Sequence, residues 1–269
     1  MIEESSKQKI LILVKTYPTL STKNIETVCT AGMREDGSWV RIYPITYRRM
    51  DKSQRFRKYQ WIEANLARNT SDPRLESYKL AGDIKPLRIL DTRDGWKNRK
   101  NIVLKNVYTD LAMLINEARD KNVSTSLAAF KPARIIGFSV SKFPTKLENI
   151  QKQKALEEQL DKKQARKLAE QVPYKFYYTF VDENGKRSRM QILDWEIYQL
   201  CRKIIRKYGY KKDVVYRHLR EKYFDELAKE RDVYLFLGTT KYWHIRRSSN
   251  PFMIIGVFYP PKTYPIGRK

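Results

Sequence analysis

The chain has 269 residues, 41% of them hydrophobic and 12% aromatic, enough to build one large or two small folded domains and to exclude a disordered polypeptide at 32% charged residues. Lysine and arginine total 55 against 30 acidic residues, a formal excess of +25; charge of that size repels itself unless a polyanion relieves it, and nucleic acid supplies dense negative charge along an extended track. No stretch reaches the ~20 apolar residues of a membrane-spanning helix, the start MIEESSKQK has no apolar core of a signal peptide, and no basic amphipathic anchor stands out, so the expectation is a cytoplasmic protein that does not meet membrane.

The first apolar run, residues 10–14, is short and β-branched, as a buried strand should be. Ser21 or Thr22 can then cap a helix ending near Gly32. Asp36-Gly37 signals a turn, and the alternation of Trp39, Arg41 and Tyr43 with Val40 and Ile42 predicts a strand that Pro44 stops. Residues 47–58 read as a basic loop or short helix. Another strand spans residues 59–66, broken by Asn69, Ser71 and Pro73, and a short one is expected at residues 87–90 after Pro86. Leu111, Leu114, Ile115 and Ala118 have helical spacing, and residues 135–140 suit a strand.

Pro144 and Pro173 bracket a lysine-rich stretch in which Glu158 stands four residues before Lys162, which predicts a long charged connecting helix. Beyond it, residues 176–181, the turn around Asn184-Gly185 and a strand ending at Ile192 form a hairpin. Asp194 can cap a helix carrying Ile197, Leu200, Cys201, Ile204 and Ile205 and ending at Gly209; Val215, Leu219, Tyr223 and Leu227 predict a second helix. Strands are expected at residues 233–237, 242–245 and 252–259. Cys29 and Cys201 are far apart and outside any C-x-x-C pair, so they read as reduced core thiols.

The sharpest binding feature is the block with Arg48, Arg49, Lys52, Arg55, Arg57 and Lys58 against the single acid Asp51; Phe56, Tyr47 and Tyr59 beside it could stack on bases while guanidinium groups hold phosphates. Lys97, Arg99 and Lys100, with Arg93, form a second group. Lys163, Arg166 and Lys167 share one ridge of the connecting helix. Lys186, Arg187 and Arg189 lie beside Phe176, Tyr177, Tyr178 and Phe180, rings that are core as readily as base-stacking surface. Lys241, Arg246 and Arg247 stand with Tyr242, Trp243 and His244, a cluster that could clasp a phosphate with His244 as proton donor; His218 belongs on an amphipathic helix.

A metal-dependent nuclease is the enzymatic rival, since it would use the same grip and add carboxylates for Mg²⁺. Asp194 is explained by capping, Glu196 points elsewhere on the helix, Asp182 and Glu183 sit in a turn, and nothing in the sequence brings Asp232 to Asp194. No phosphate loop, dinucleotide fingerprint, H-E-x-x-H or nucleophile elbow occurs, so no catalytic residue, metal or cofactor is assigned.

Arg41-Ile42-Tyr43-Pro44, Asp194-Trp195-Glu196 and the stretch from Asn250-Pro251-Phe252 to Pro260-Pro261-Lys262 resemble segments of uncharacterised prokaryotic proteins with no established activity. The resemblance implies a bacterial or archaeal origin and no functional residues. The sequence thus reads as an α+β protein with mixed or antiparallel sheets: an N-terminal part at residues 1–145, a charged helix at 146–172 and a C-terminal part at 173–269. The expected function is phosphate-backbone binding of DNA or RNA as a non-catalytic accessory subunit, with a nuclease or effector as protein partner and defence or nucleic-acid processing as context. A nuclease, and a basic subunit for an acidic protein partner, remain the alternatives.

Overall fold

The computed structural model describes residues 5–21, 25–142 and 172–262. The apolar run at residues 10–14 forms the middle of β1 (Ser5–Lys15), and all five of its residues are buried. A strand buried on both faces needs neighbours on both. Ile10 and Ile12 join a cluster with Val40, Ile42, Ile62 and Ile84, while Leu11 and Leu13 join another with Leu127, Ala129, Phe236 and Phe258.

The first cluster fills a small barrel. β1 pairs with β5 (Gln60–Arg68), β5 with β6 (Ser77–Ile89), β6 with β4 (Trp39–Ile45), β4 with β3 (Ile25–Met33), and β3 returns to β1. All of these pairs are antiparallel except β4–β6. That closing contact involves only Arg41 with Ser77 and Ile42 with Tyr78, so the far half of β6 is paired on the β5 side. Pro86 is therefore tolerated inside β6, where it withholds no hydrogen bond from a second neighbour; the short strand expected at residues 87–90 is the end of this longer one. Short β2 (Thr19–Ser21) pairs with β3.

Two further expectations change in this region. The helix expected to end at Gly32 is strand β3, whose β-branched Thr27, Val28 and Thr30 suit a pleated surface flanked by β1 and β4. Gly32 serves that strand, because a Cβ there would collide with the Leu11 carbonyl. Strand β4 also does not stop at Pro44: it continues through a cis Tyr43–Pro44 bond to Ile45, which pairs with Val28.

The second sheet has seven strands, ordered β7 (Val107–Tyr108), β8 (Leu127–Phe130), β12 (Tyr234–Thr239), β13 (Phe252–Phe258), β11 (Arg187–Ile192), β10 (Tyr174–Val181) and β9 (Arg134–Lys142). β7–β8 and β11–β13 run parallel and the other pairs antiparallel. Strands from before and after the undescribed residues 143–171 thus share one sheet. Leu127, Ala129, Phe236 and Phe258 pack one face of it on the barrel. The other face lies under α2 (Leu111–Arg119), α3 (Trp195–Tyr208) and α4 (Lys212–Arg220), with a wider-turn continuation of α4 over Glu221–Ala228.

These helices follow their sequence signals. Asp110 caps α2, and Leu111, Leu114, Ile115 and Ala118 are its buried face. Asp194 caps α3, Gly209 ends it with a φ of 76°, and Val215, Leu219, Tyr223 and Leu227 are buried along α4 and its continuation. α1 (Arg93–Val103) opens irregularly, with positive φ at Asp94, Gly95 and Trp96. The strand expected at residues 242–245 is instead the short helix α5 (Lys241–Ile245), capped by the Thr240 hydroxyl, which accepts from the Trp243 amide. Mixed sheets with five α-helices among the described residues make this an α+β fold. The expected connecting helix lies outside the described residues except for Val172. No helix among the described residues is long and apolar enough to cross a membrane.

Candidate nucleic-acid interface

The basic block connects β4 to β5 across one end of the barrel. Its anchor is Phe56, fully buried with the barrel core and in edge contact with Tyr47 at 5.1 Å. Tyr47 donates its hydroxyl to the Phe56 carbonyl at 2.6 Å, and Lys15 donates to the same oxygen at 3.2 Å. Arg55 folds back across the loop, with Nε donating to the Met50 carbonyl and Nη2 to the Arg48 carbonyl, both at 3.0 Å. The rings expected to stack on bases are therefore structural: Phe56 and Tyr59 are buried, and Tyr47 packs against Phe56 and Trp195.

The cations of the block divide. Arg48 bonds Glu26 at 3.1 Å. Lys58 is turned inward, its side chain 7% exposed, and holds Asp194 and Glu196 at 3.1 Å each. Burial opposes the charge on Lys58, but the two carboxylates outweigh it and raise the ammonium well above its usual range. Asp194 also accepts from the amides of Glu196 and Val257, and burial pushes its carboxyl upward against the pull of Lys58. Lys58 thus fastens the barrel to α3 and is withdrawn from any phosphate contact, which corrects its placement in the binding set. Arg49, Lys52, Arg55 and Arg57 remain exposed.

Lys15 lies beside this pair. Its ammonium is 4.1 Å from the Tyr47 ring centre, 5.5 Å from Trp195 and 5.8 Å from Phe56. Burial first, then the like charge of Lys58, lower its pKa to about 8, opposed by Glu196 and Asp194; the three rings also favour its charged form. At the end of a buried apolar run, its place among these rings was not legible in the sequence.

The other predicted cations are more scattered. Lys97 is exposed and Lys100 half-buried, but Arg99 lies over Tyr59 at 4.0 Å and Trp96 at 4.9 Å and gives Nε and Nη2 to the Leu90 carbonyl. That is a structural guanidinium. Arg93 is bonded to Asp91. On the hairpin, Lys186, Arg187 and Arg189 are all exposed, and Arg189 also covers the Tyr177 ring at 3.6 Å and reaches Ser139. Phe176, Tyr178 and Phe180 are buried, so the hairpin presents no open row of rings for bases. Lys163, Arg166 and Lys167 lie outside the described residues.

At α5, Lys241, Arg246 and Arg247 are exposed, but His244 is 6% exposed and turned inward. Its Nε2 meets the Ser124 hydroxyl at 2.9 Å, and burial followed by Arg74 lowers its pKa. It is not placed to give a proton to a phosphate at the surface. His218 stacks on Tyr208 at 4.9 Å and faces Glu221.

His244 borders a buried polar network that sequence reasoning missed. Arg41, 1% exposed, donates to Ser126 Oγ at 2.7 Å, the Ser126 carbonyl at 3.1 Å and Ser77 Oγ at 3.3 Å. Arg74 grips Asp72 through Nε and Nη2 and donates Nη1 to the Thr239 carbonyl at 2.7 Å. Glu76 accepts from the amide and hydroxyl of Ser126. Two guanidinium groups and two carboxylates thus join the barrel to β8 and the end of β12. The one signal in sequence was Arg41 itself, a charge between Val40 and Ile42 in a strand with core on both sides.

Of the carboxylates weighed for a magnesium site, Asp194 and Glu196 share Lys58, and Asp182 accepts from the amides of Asn184 and Lys186. Asp232 holds Lys131 and the Tyr234 hydroxyl. Among the described residues no three His, Cys, Asp or Glu side chains converge on a metal position. Cys29 and Cys201 are free thiols, half-buried and buried respectively.

Comparison with known families gives two matches: a model described as Domain of unknown function (DUF8758) covers residues 6–105, and one described as Domain of unknown function (DUF8757) covers residues 107–268. No curated protein matches the chain.

Proposed function

We propose, for a chain that belongs to the family described as Domain of unknown function (DUF8757), that it binds the phosphate backbone of DNA or RNA through the loop between β4 and β5. The observation that carries this reading is the cationic remainder of that loop. With Arg48 and Lys58 paired to acids, Arg49, Lys52, Arg55 and Arg57 still stand exposed on one short segment. The loop is held in shape by Phe56 in the barrel and by the two carbonyls that Arg55 grips. A preformed cationic loop loses little conformational freedom on meeting a polyphosphate, and each phosphate neutralised releases counterions.

The net charge of +25 supports the same partner. Lys186 and Arg187 on the hairpin, and Lys163, Arg166 and Lys167 outside the described residues, would add contacts of the same kind. Base readout has little support, because the rings beside the loop are buried. Binding without chemistry corresponds to an accessory role beside a nuclease or effector, in defence or processing.

The test is a salt titration of affinity for unrelated single- and double-stranded oligonucleotides. Replacing Arg49, Lys52 and Arg57 together by Gln, with Arg55 kept to hold the loop, should weaken all of them and reduce the slope of log K against log salt by roughly 2 to 3. An unchanged slope in a folded variant would remove the loop from the interface.

A further inference from the structure

Ten large apolar side chains are exposed among the described residues, and five of them occur in the three segments that the Arg41–Arg74–His244 network ties together: Leu75 at 54%, Val123 at 47%, Tyr242 at 56%, Trp243 at 47% and Ile245 at 55%. The ties are explicit. Arg74, next to Leu75, bonds the Thr239 carbonyl; Ser124, next to Val123, bonds His244; and Lys241 donates to the Ser71 carbonyl at 2.5 Å. A buried charge network is expensive to desolvate and adds little net stability, yet here it fixes a five-residue helix whose outer side chains are apolar. On a chain this charged, exposed apolar groups gathered at one place mark a contact surface.

We infer that Tyr242, Trp243 and Ile245, with Leu75 and Val123 beside them, form a docking surface for a protein partner whose own face is apolar at the centre and acidic at the rim. Trp, Tyr and Arg are the residues that dominate protein interfaces. Tyr242 and Trp243 pack edge to face at 4.7 Å, and the Arg246 guanidinium lies over Tyr242 at 3.7 Å, so the two rings and the cation form one contiguous exposed group. Lys241, Arg246 and Arg247 supply an exposed cationic border. Of the acids in these segments, Asp72 is paired with Arg74 and Glu76 accepts from Ser126 inside the network, which leaves Asp120 as the one exposed acid against three exposed cations. An acidic rim is therefore what the border complements.

Two other occupants fit less well. A single-stranded nucleic acid would leave Leu75, Val123 and Ile245 without a matching apolar surface, and one face of Tyr242 is already covered by Arg246. A second copy of the chain would bring like charges together across a two-fold contact. The inference stands on residues separate from the phosphate-binding loop and does not depend on that reading.

The experiment uses the full chain. Hydroxyl-radical footprinting should first find Trp243 and Tyr242 reactive in the free protein. A displayed random-peptide library selected on the wild type should then enrich peptides that combine Leu, Phe or Trp with Asp or Glu. A synthetic enriched peptide should protect Trp243 from the radical and lose about tenfold or more in affinity for Trp243→Ser/Ile245→Ser. Arg246→Glu/Arg247→Glu should weaken the same peptide, which keeps the test decisive if the first variant does not fold. The inference fails if Trp243 is already protected in the free chain, if no acidic apolar peptide is enriched, or if both variants bind the peptide unchanged. Protection of Trp243 by an oligo-dT strand, or a dimer that the variants abolish, would equally overturn it in favour of nucleic acid or self-association.

Discussion

Residues 48–58 and 241–247 are alike in composition, each mixing arginine and lysine with aromatic rings, yet the fold sorts them oppositely. In the first segment the ring of Phe56 goes inward and four cations stay outside. In the second, the inward side chain is His244, and Tyr242, Trp243 and Ile245 stay outside with the cations. The barrel end had space for an aromatic side chain, and Phe56 occupies it among Ile45, Ile62 and their neighbours. At α5 the Ser124 hydroxyl meets His244 Nε2, and Arg74 bonds the Thr239 carbonyl at the end of β12, so the side chain turned inward is a polar imidazole with a hydrogen-bond partner. Composition alone therefore announces neither a phosphate grip nor a docking surface; what lies beneath the segment decides.

The contrast is most open to attack at Lys58. Lys58→Met should leave Asp194 buried without its cation and destabilise the protein by roughly 3–5 kcal/mol, read from denaturant unfolding. A variant as stable as the wild type would mean that Lys58 is a surface cation after all. Arg74→Met should be next, by about 3 kcal/mol, since Asp72 and the Thr239 carbonyl lose their partner together. It should also raise radical reactivity across residues 241–247; loss of stability with an unaltered α5 would uncouple the network from the helix.

Lys15 makes a smaller, pH-dependent contribution. Its pKa falls from 10.5 unfolded to about 8 folded, so between pH 8 and pH 10.5 the unfolded chain binds more protons and stability from this group rises with pH. Below pH 8 the cost of holding the cation is fully present. Lys15→Met should therefore gain about 1–3 kcal/mol on the wild type at pH 7 relative to pH 10.5, before any loss of ring contacts common to both conditions. A stability difference that does not change with pH would show that Tyr47, Trp195 and Phe56 hold the amine charged. Smallest in stability is Arg57→Gln, expected within about 0.5 kcal/mol of wild type, although it should weaken oligonucleotide binding at low salt. Set beside Lys58→Met, it separates an outward cation of the loop from an inward one.

Much of the fold was legible because local signals and tertiary demands agree. Asp194, the four-residue spacing of Val215, Leu219, Tyr223 and Leu227, and Asn184-Gly185 each specify a cap, a buried face and a turn without reference to the rest of the chain. Where the reading went astray, the determining partner was distant in sequence. Residues 25–33 are strand because β1 and β4 stand on either side. The strand expected at residues 242–245 is a helix because Thr240 caps it and Ser124 receives His244. Of the candidate site, the sequence marked a loop that does carry exposed cations and overcounted them, since nothing local tells Lys58 from Arg57.

The sequence by itself determined the class of the fold, the apolar faces of α2, α3 and α4 and the large cationic excess, all of which follow from side-chain type and spacing. Only the tertiary structure decided which cations stay in water. Asp194 and Glu196 lie 136 and 138 residues from Lys58, and Ser126 lies 85 residues from Arg41. A buried charge is stable only where a partner of opposite sign or a set of acceptors is brought to it, and bringing them together is the work of the packed sheets.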